Sequence, residues 1–188
     1  MEQCRLKLEN LYFGNQLIST MLKRTHIKIA EEVAYRSRYK LTRGMRQALI
    51  KGSVEPDEQR DDKKAHHHGR EREIALLILS AREGFLQGIK GAGNKEKLEE
   101  SAYLLGRAFH FIADGCTTSS KVGIDHHEWE EEIARSYINK LSSDELGSMK
   151  EAIVKAINLI PKGNPRKELN NAIEICLFVT NSVWSPPL

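Results

Sequence analysis

The sequence predicts a single all-α domain of about six helices, and three observations support this. Apolar residues recur at three- and four-residue steps from Thr25 onward, which is the period of an amphipathic helix. Neither strand-like alternation nor a repeat of about 20–50 residues competes with that period. Five prolines and an aromatic content of 6% disfavour an all-β sandwich.

The helices are expected in a fixed order, each with its own start or stop signal. Thr25 is a candidate N-cap for the first helix, which would continue to about Ile50 and end at Gly52. The segment from Gly52 to Gly69 contains Pro56 and lacks an apolar period, so we expect a structured loop there. The other five helices are predicted from about Arg70 to the glycines that begin at Gly88, from about Lys95 to Asp114, from near Asp125, from Ser143 to Pro161, and from about Pro165 to Trp184.

Composition and charge exclude several classes of protein. The chain has 188 residues, of which 40% are hydrophobic, enough to bury the core of one domain. Its 29 basic and 26 acidic residues give a net charge of +3, too mild to indicate a nucleic acid or an anionic membrane as partner. No apolar run approaches the roughly 18–20 residues of a transmembrane helix. The three cysteines form no CxxC pair, which disfavours a disulfide scaffold and a thiolate zinc knuckle.

Residues 1–20 are predicted to be an arm outside the domain, and residues 21–188 to be the helical metal-binding domain. The arm has acidic residues and no clean apolar core of a secretory signal, so a cytoplasmic location is expected. The run from Glu9 to Gly14 is similar to a protease site used for tag removal, and both a tag-derived and a native arm stay open. No function is assigned before Met21.

The histidines are concentrated in the first two thirds of the chain. This distribution predicts a site built from the first four helices, with the last two helices as scaffold. The alternative is that the histidines cluster by chance, because five of the seven stand in two runs of consecutive residues, 66–68 and 126–127. The seven are His26, His66, His67, His68, His110, His126 and His127.

On the predicted third and fourth helices, histidines are followed by a carboxylate four residues later, a spacing that places both side chains on one helix face. His110 pairs in this way with Asp114 on the predicted third helix, and His126 pairs with Glu130 on the fourth. Imidazole and carboxylate together suit Zn²⁺. Each pair also has a simpler interpretation, as a hydrogen-bonded core pair for the first and a solvated acidic face for the second.

The segment from Gly52 to Gly69 adds Asp57 and the histidine triplet 66–68 to these candidates. A long connection inside a compact domain usually needs something to organise it, and a bound metal would do so. An exposed polar loop is the alternative for the triplet. His26 could equally be a surface residue at the start of the first helix.

These residues belong to five short motifs: Thr25-His26, Gly52-Ser53-Val54-Glu55-Pro56-Asp57, His66, Leu105-Gly106-x-x-Phe109-His110-x-x-x-Asp114, and His126-x-x-Trp129-Glu130. In this order the chain resembles the zinc-dependent phospholipase C family, from about Met21 to Arg135. That resemblance implies the all-helical fold and trinuclear zinc site that the family shares with zinc-dependent single-strand nucleases. A final Glu rather than Asp is similar to the phospholipase branch.

The resemblance also implies a role for each matching residue. One zinc would be bound by His26 and Asp114, a second by Asp57, His66 (or His67), His110 and the bridging Asp114, and a third by His126 and Glu130. The chain departs from the family pattern at Ser120, where the family has a histidine, and no Trp precedes His26 to supply terminal ligands. His127 or Cys116 could substitute in the third site, so one to three zinc ions are expected.

The function implied by the resemblance is zinc-dependent hydrolysis of a phosphodiester, with Asp57 as a possible general base. Zinc would lower the pKa of a bound water from about 15.7 toward about 7. The expected substrate is a small phosphodiester or a phospholipid head group, and scarce aromatics disfavour single-stranded nucleic acid. Two alternatives stay open: a degenerate relative that keeps one structural zinc and acts as a binding or scaffold protein, and a di-iron bundle, disfavoured because Glu-x-x-His is absent. The oligomeric state is not predicted.

Overall fold

The structure is a computed structural model that describes residues 23–58, 70–90, 93–117, 126–136, 138, 147–160 and 162–186. In these residues the regular secondary structure is all helical and there is no β-strand, so the predicted all-α fold is confirmed. The part of the chain that the structure describes forms seven helices: α1 (23–36), α2 (Arg43–Glu58), α3 (Glu71–Ile89), α4 (Lys95–Gly115), α5 (His126–Arg135), α6 (Met149–Ile157) and α7 (Pro165–Val183). The predicted arm, residues 1–20, lies outside the described residues.

The predicted first helix is wrong, because the structure divides it into α1 and α2. Thr25 lies inside α1 and is therefore not an N-cap. A second helix starts after Thr42, whose hydroxyl accepts a hydrogen bond from the backbone N–H of Met45 at 3.2 Å. In the connection, the backbone N–H of Arg38 donates to the side-chain oxygen of Asn181 on α7 at 3.0 Å. A contact with the far end of the chain thus replaces a helical hydrogen bond.

The predicted stop at Gly52 is also wrong. Gly52 lies in the middle of α2, which continues to Glu58 and contains Pro56 in its last turn. Residues 53–58 of the expected loop are therefore helical, and its remaining residues, 59–69, lie outside the described part of the chain. Asp57 is consequently a helical residue rather than a loop residue, which fixes its direction relative to α4.

Gly52 is needed because α2 and α4 approach each other backbone to backbone. A Cβ atom at Gly52 would overlap the carbonyl oxygen of Tyr103 and lie 3.1 Å from the backbone nitrogen of Arg107. The contact is reciprocal, since a Cβ atom at Gly106 would overlap the carbonyl oxygen of Leu49. Main-chain atoms cannot rotate away as a side chain can, so only glycine fits at both positions.

The later helices follow the sequence signals more closely. Helix α6 begins later than predicted, because its N-cap is Ser148, which forms a capping box with Glu151, rather than Ser143. That helix ends at Ile157, before Pro161. Helix α7 starts at Pro165 as predicted, with the Asn164 side chain as its N-cap.

Helices α4 and α7 contribute the most buried residues to the core, and α4 packs against both α2 and α3. Trp184, at the end of α7, is 2% exposed and donates its indole N–H to the Ser101 hydroxyl at 3.1 Å. Ser101 in turn donates to the carbonyl oxygen of Ala81 on α3 at 2.7 Å. This chain of hydrogen bonds joins three helices in the interior. Among the described residues, no helix is both long and apolar enough to cross a bilayer.

The backbone contact between α2 and α4 predicts opposite effects for two glycine substitutions. Gly106→Ala should lower the free energy of unfolding by about 1–3 kcal/mol, because the new methyl group must push two backbones apart. The control is Gly84→Ala within α3, where the nearest atoms lie at 3.5 Å. There the methyl group should stabilise the helix by about 0.5–1 kcal/mol.

Urea unfolding monitored by circular dichroism measures both changes. Equal effects of the two substitutions would contradict the close contact.

Candidate metal centre

Four of the predicted ligands come together where α1, α2 and α4 meet. His26 lies on α1, Asp57 on α2, and His110 and Asp114 on α4. We call these four residues the histidine–aspartate cluster. Their side chains are exposed by 3%, 12%, 0% and 9%, respectively, so neither carboxylate is solvated as a surface group would be.

The two carboxylates face the two imidazoles in a symmetrical way. Asp114 places one oxygen 3.3 Å from Nε2 of His26 and the other 3.2 Å from Nε2 of His110. Asp57 also places one oxygen toward each ring, at 3.9 Å from Nε2 of His26 and 3.6 Å from Nε2 of His110. The two rings are stacked obliquely, with centroids 4.3 Å apart and planes at 32°. Both Nε2 atoms therefore point at the same pair of acids.

The backbone of α2 fixes the tautomer of His110. Nδ1 of His110 lies 3.2 Å from the carbonyl oxygen of Ser53, which can only accept a hydrogen bond. Nδ1 must therefore carry the proton, and in the neutral ring Nε2 presents its lone pair to the carboxylates. A backbone carbonyl in this position is a common outer partner of histidines that bind metals.

The cluster concentrates negative charge in the interior. Two buried carboxylates beside the Nε2 lone pair of His110 need compensation, either from protons on the rings and acids or from a cation between them. Protonation of both rings would place two imidazolium charges side by side, with centroids 4.3 Å apart. One divalent cation would neutralise both acids and use both lone pairs at once.

The distances between the Nε2 atoms and the carboxylate oxygens agree with a divalent cation in the cluster. Ligand atoms at about 2.0–2.1 Å from a tetrahedral Zn²⁺ lie about 3.3 Å from one another. The two Nε2–Asp114 distances, 3.3 and 3.2 Å, match this separation, and the Asp57 distances exceed it by 0.3–0.6 Å. His26, Asp57 and His110 each offer a ligand atom within 4.8 Å of the others. The donor set therefore fits a divalent metal ion.

Other predicted ligands are only partly described. His66 and His67 lie outside the described residues, as does Ser120. His126 and Glu130 belong to α5, but the structure describes only their backbone. The predicted role of these residues therefore stays a prediction.

Cys116 was a candidate substitute ligand, and its surroundings disfavour that role. The residue is fully buried and its sulfur accepts a hydrogen bond from the Asn171 side chain at 3.4 Å. Burial raises the pKa of the Cys116 thiol to about 12, and the same cause raises the pKa of Cys176 on α7 well above its usual value. Both cysteines act as small apolar core residues.

A residue that the sequence interpretation missed lies beside the cluster. Glu168 on α7 is 1% exposed and lines a narrow cleft together with His26 and Asp114. Its two oxygens accept hydrogen bonds from the indole N–H of Trp129 at 2.8 Å and from the backbone N–H of Gly163 at 2.9 Å. No signal in the sequence marks Glu168, because an acidic residue in the first turn of a helix is common.

Comparisons with models of known protein families, with curated proteins and with solved structures find no match to this chain.

The buried thiols predict slow cysteine alkylation in the folded protein. With a pKa of about 12, about one Cys116 thiol in ten thousand is ionised at pH 8, and the thiolate is the reactive form. Peptide mass spectrometry after iodoacetamide treatment should find Cys116 and Cys176 unmodified in buffer and fully modified in guanidinium chloride. Rapid modification of Cys116 in buffer would show instead an accessible, ionised thiol.

Proposed function

We propose that this chain is a metal-dependent phosphodiester hydrolase of the phospholipase C type, with the histidine–aspartate cluster as its zinc site. The observation that supports the proposal most strongly is the shared orientation of the two imidazoles. Nε2 of His26 and Nε2 of His110 both face Asp57 and Asp114, although the residues come from three helices. The resemblance of the sequence motifs to a family with zinc-dependent chemistry supports the choice of metal.

Each residue of the cluster would have a defined task. His26 and His110 would bind the ion through Nε2, and Asp114 would bind it with the oxygens that face the two rings. The Ser53 carbonyl oxygen would hold His110 in the tautomer that this requires. A divalent ion in this place supplies activation of water near neutral pH and stabilises charge on the phosphoryl oxygens.

Asp57 is the best candidate for the general base. Its side chain is 12% exposed, the largest exposure within the cluster, so it can exchange a proton with solvent more readily than Asp114. It is also the farther of the two acids from both Nε2 atoms, by 0.4–0.6 Å. A carboxylate that binds the ion less closely keeps basicity for proton transfer.

The substrate class in this proposal is a small phosphodiester or a phospholipid head group. The motif resemblance supports this choice, as does the mild net charge of +3, which offers little attraction for a long nucleic acid. His66 or His67, together with His126 and Glu130, would bind the further zinc ions, up to a total of three. The cytoplasmic location also stays a prediction.

A second function is favoured by the burial of the cluster. Structural zinc sites are closed, with four protein ligands, whereas catalytic sites keep a position open to water. The four side chains are at most 12% exposed, and two imidazoles with two carboxylates would complete a tetrahedral shell. A chain of this kind would bind one structural zinc and serve as a binding or scaffold protein.

Metal content is the first test. His110→Ala should remove at least one equivalent of zinc and lower stability, because Asp114 would be left as a buried charge without its imidazole. Ser101→Ala is the matched control, since Ser101 is a fully buried polar residue of the same helix whose bonds go to Trp184 and Ala81. It should reduce stability and leave the zinc content unchanged.

Elemental analysis after dialysis against zinc-containing and then metal-free buffer measures both variants. A metal content that is the same in the wild type and in His110→Ala would contradict the proposed site.

Hydrolysis distinguishes the two functions. The zinc-loaded protein should hydrolyse a chromogenic phosphodiester, and Asp57→Asn should lower kcat at least about 100-fold at saturating zinc because the amide cannot accept the proton. Glu58→Gln is the control, because Glu58 is the next residue and its exposed side chain pairs only at the surface with Lys23. One bound zinc without turnover in the wild type would favour the structural role.

A further inference from the structure

Glu168 and Trp129 form a polar contact that is unusual for its position. Glu168 is 1% exposed, and the hydrogen bond from Nε1 of Trp129 to its Oε2 is 2.8 Å long. The second oxygen accepts the backbone N–H of Gly163. Burying a carboxylate costs several kcal/mol unless its hydrogen bonds compensate, and an apolar residue would fill the same space without that cost. The carboxylate is therefore better explained by a specific task than by packing.

Among the described residues, a second polar contact also joins α5 to the rest of the domain. At the other end of α5, the ammonium group of Lys28 donates to the carbonyl oxygens of Ala134 and Ser136 at 2.9 and 2.7 Å. A cation at the last carbonyls of a helix is favourable for the helix dipole as well. Lys28 stands on α1, two residues after His26 of the cluster. Helix α5 is thus held at its first turn by α7 and at its last turn by α1.

The cleft beside the cluster brings α5 next to the candidate metal centre. Thr25, His26, Asp114 and Glu168 line the cleft together with Ile133 of α5. Its free space is about 10 Å³, roughly what one water molecule or one ion needs. Helix α5 begins at His126, and Trp129 lies in its first turn, directly before position 130. The Trp129–Glu168 hydrogen bond therefore ties the first turn of α5 to a residue that lines the cleft.

We infer that Glu168 is a positioning residue of the metal centre, which acts through Trp129 to hold α5 beside the cluster. The inference rests on the proposed function, because it assigns to α5 a part in binding the metal ions of that site. Glu168 itself does not touch the reacting atoms in this assignment. It sets the affinity of the centre for zinc by limiting how far the first turn of α5 can move.

The test compares substitutions at both ends of the contact. Glu168→Gln cannot accept from Trp129 and Gly163 with both side-chain atoms, since its NH₂ group is a donor. Trp129→Phe keeps the ring and removes the donor. Each substitution should weaken zinc binding about tenfold or more, because α5 would be held less firmly beside the cluster. Glu174→Gln, an exposed acid on α7, removes the same charge and should leave the affinity unchanged.

Two measurements on the full-length protein decide the outcome. Zinc affinity is measured by competition with a chelator, at a temperature where every variant is folded. The double variant, with both Glu168→Gln and Trp129→Phe, should bind zinc no more weakly than the single variant of lower zinc affinity. The reason is that both substitutions break the same contact. Hydrogen exchange of the metal-free protein should be faster in α5 for Glu168→Gln and unchanged in α2 and α4.

The possible failures are distinguishable. A wild-type protein that binds no zinc contradicts the proposed function, and it overturns the part of this inference that concerns affinity, while faster exchange in α5 would still establish the anchor. Unchanged exchange in α5 for Glu168→Gln overturns the anchor, whatever the metal does. Faster exchange with unchanged zinc affinity shows that the contact supports only the fold and overturns the positioning role.

Discussion

The backbone contact between α2 and α4 is the constraint on which the rest of this structure depends. Gly52 and Gly106 allow the two helices to touch through main-chain atoms. At that separation the carbonyl oxygen of Ser53 reaches Nδ1 of His110, and Asp57, one turn further along α2, reaches Nε2 of the same ring. One residue with a side chain at either glycine would move both partners of His110 together. The packing of α2 against α4 therefore sets the geometry of the cluster.

In the proposed function, the cluster would link the fold to a cation. A divalent ion between the two acids and two imidazoles would offset the cost of burying the carboxylates, so its binding would also stabilise the folded chain. In the unfolded chain the same residues are far apart and solvated, and binding to the folded state shifts the equilibrium by mass action. Occupancy of the site and resistance to unfolding are expected to rise and fall together.

The last third of the chain does more than support the others. Three polar side chains of α7 reach across the domain: Asn181 to the connection between α1 and α2, Asn171 to Cys116, and Glu168 to Trp129. Helix α7 therefore contacts the connection that separates α1 from α2, the end of α4 and the first turn of α5. The absence of histidine from this region suggested a passive scaffold, but position and hydrogen bonding give its polar residues a part in shaping the site.

The sequence by itself determined the helical class and most helix limits from α3 onward, because apolar period, proline and capping residues act within a few neighbours. The i,i+4 spacing likewise placed His110 and Asp114 on one face, and motif order grouped them with His26 and Asp57. The break between α1 and α2 has no glycine or proline to mark it in the sequence. It depends instead on a distant residue, Asn181, which accepts a hydrogen bond from the backbone N–H of Arg38. Gly52 looked like a helix end when read alone, and only the opposing surface of α4 shows that it is a point of contact. The sequence likewise did not predict that Glu168 is buried. Its burial depends on the residues that surround it, and those come from distant parts of the chain.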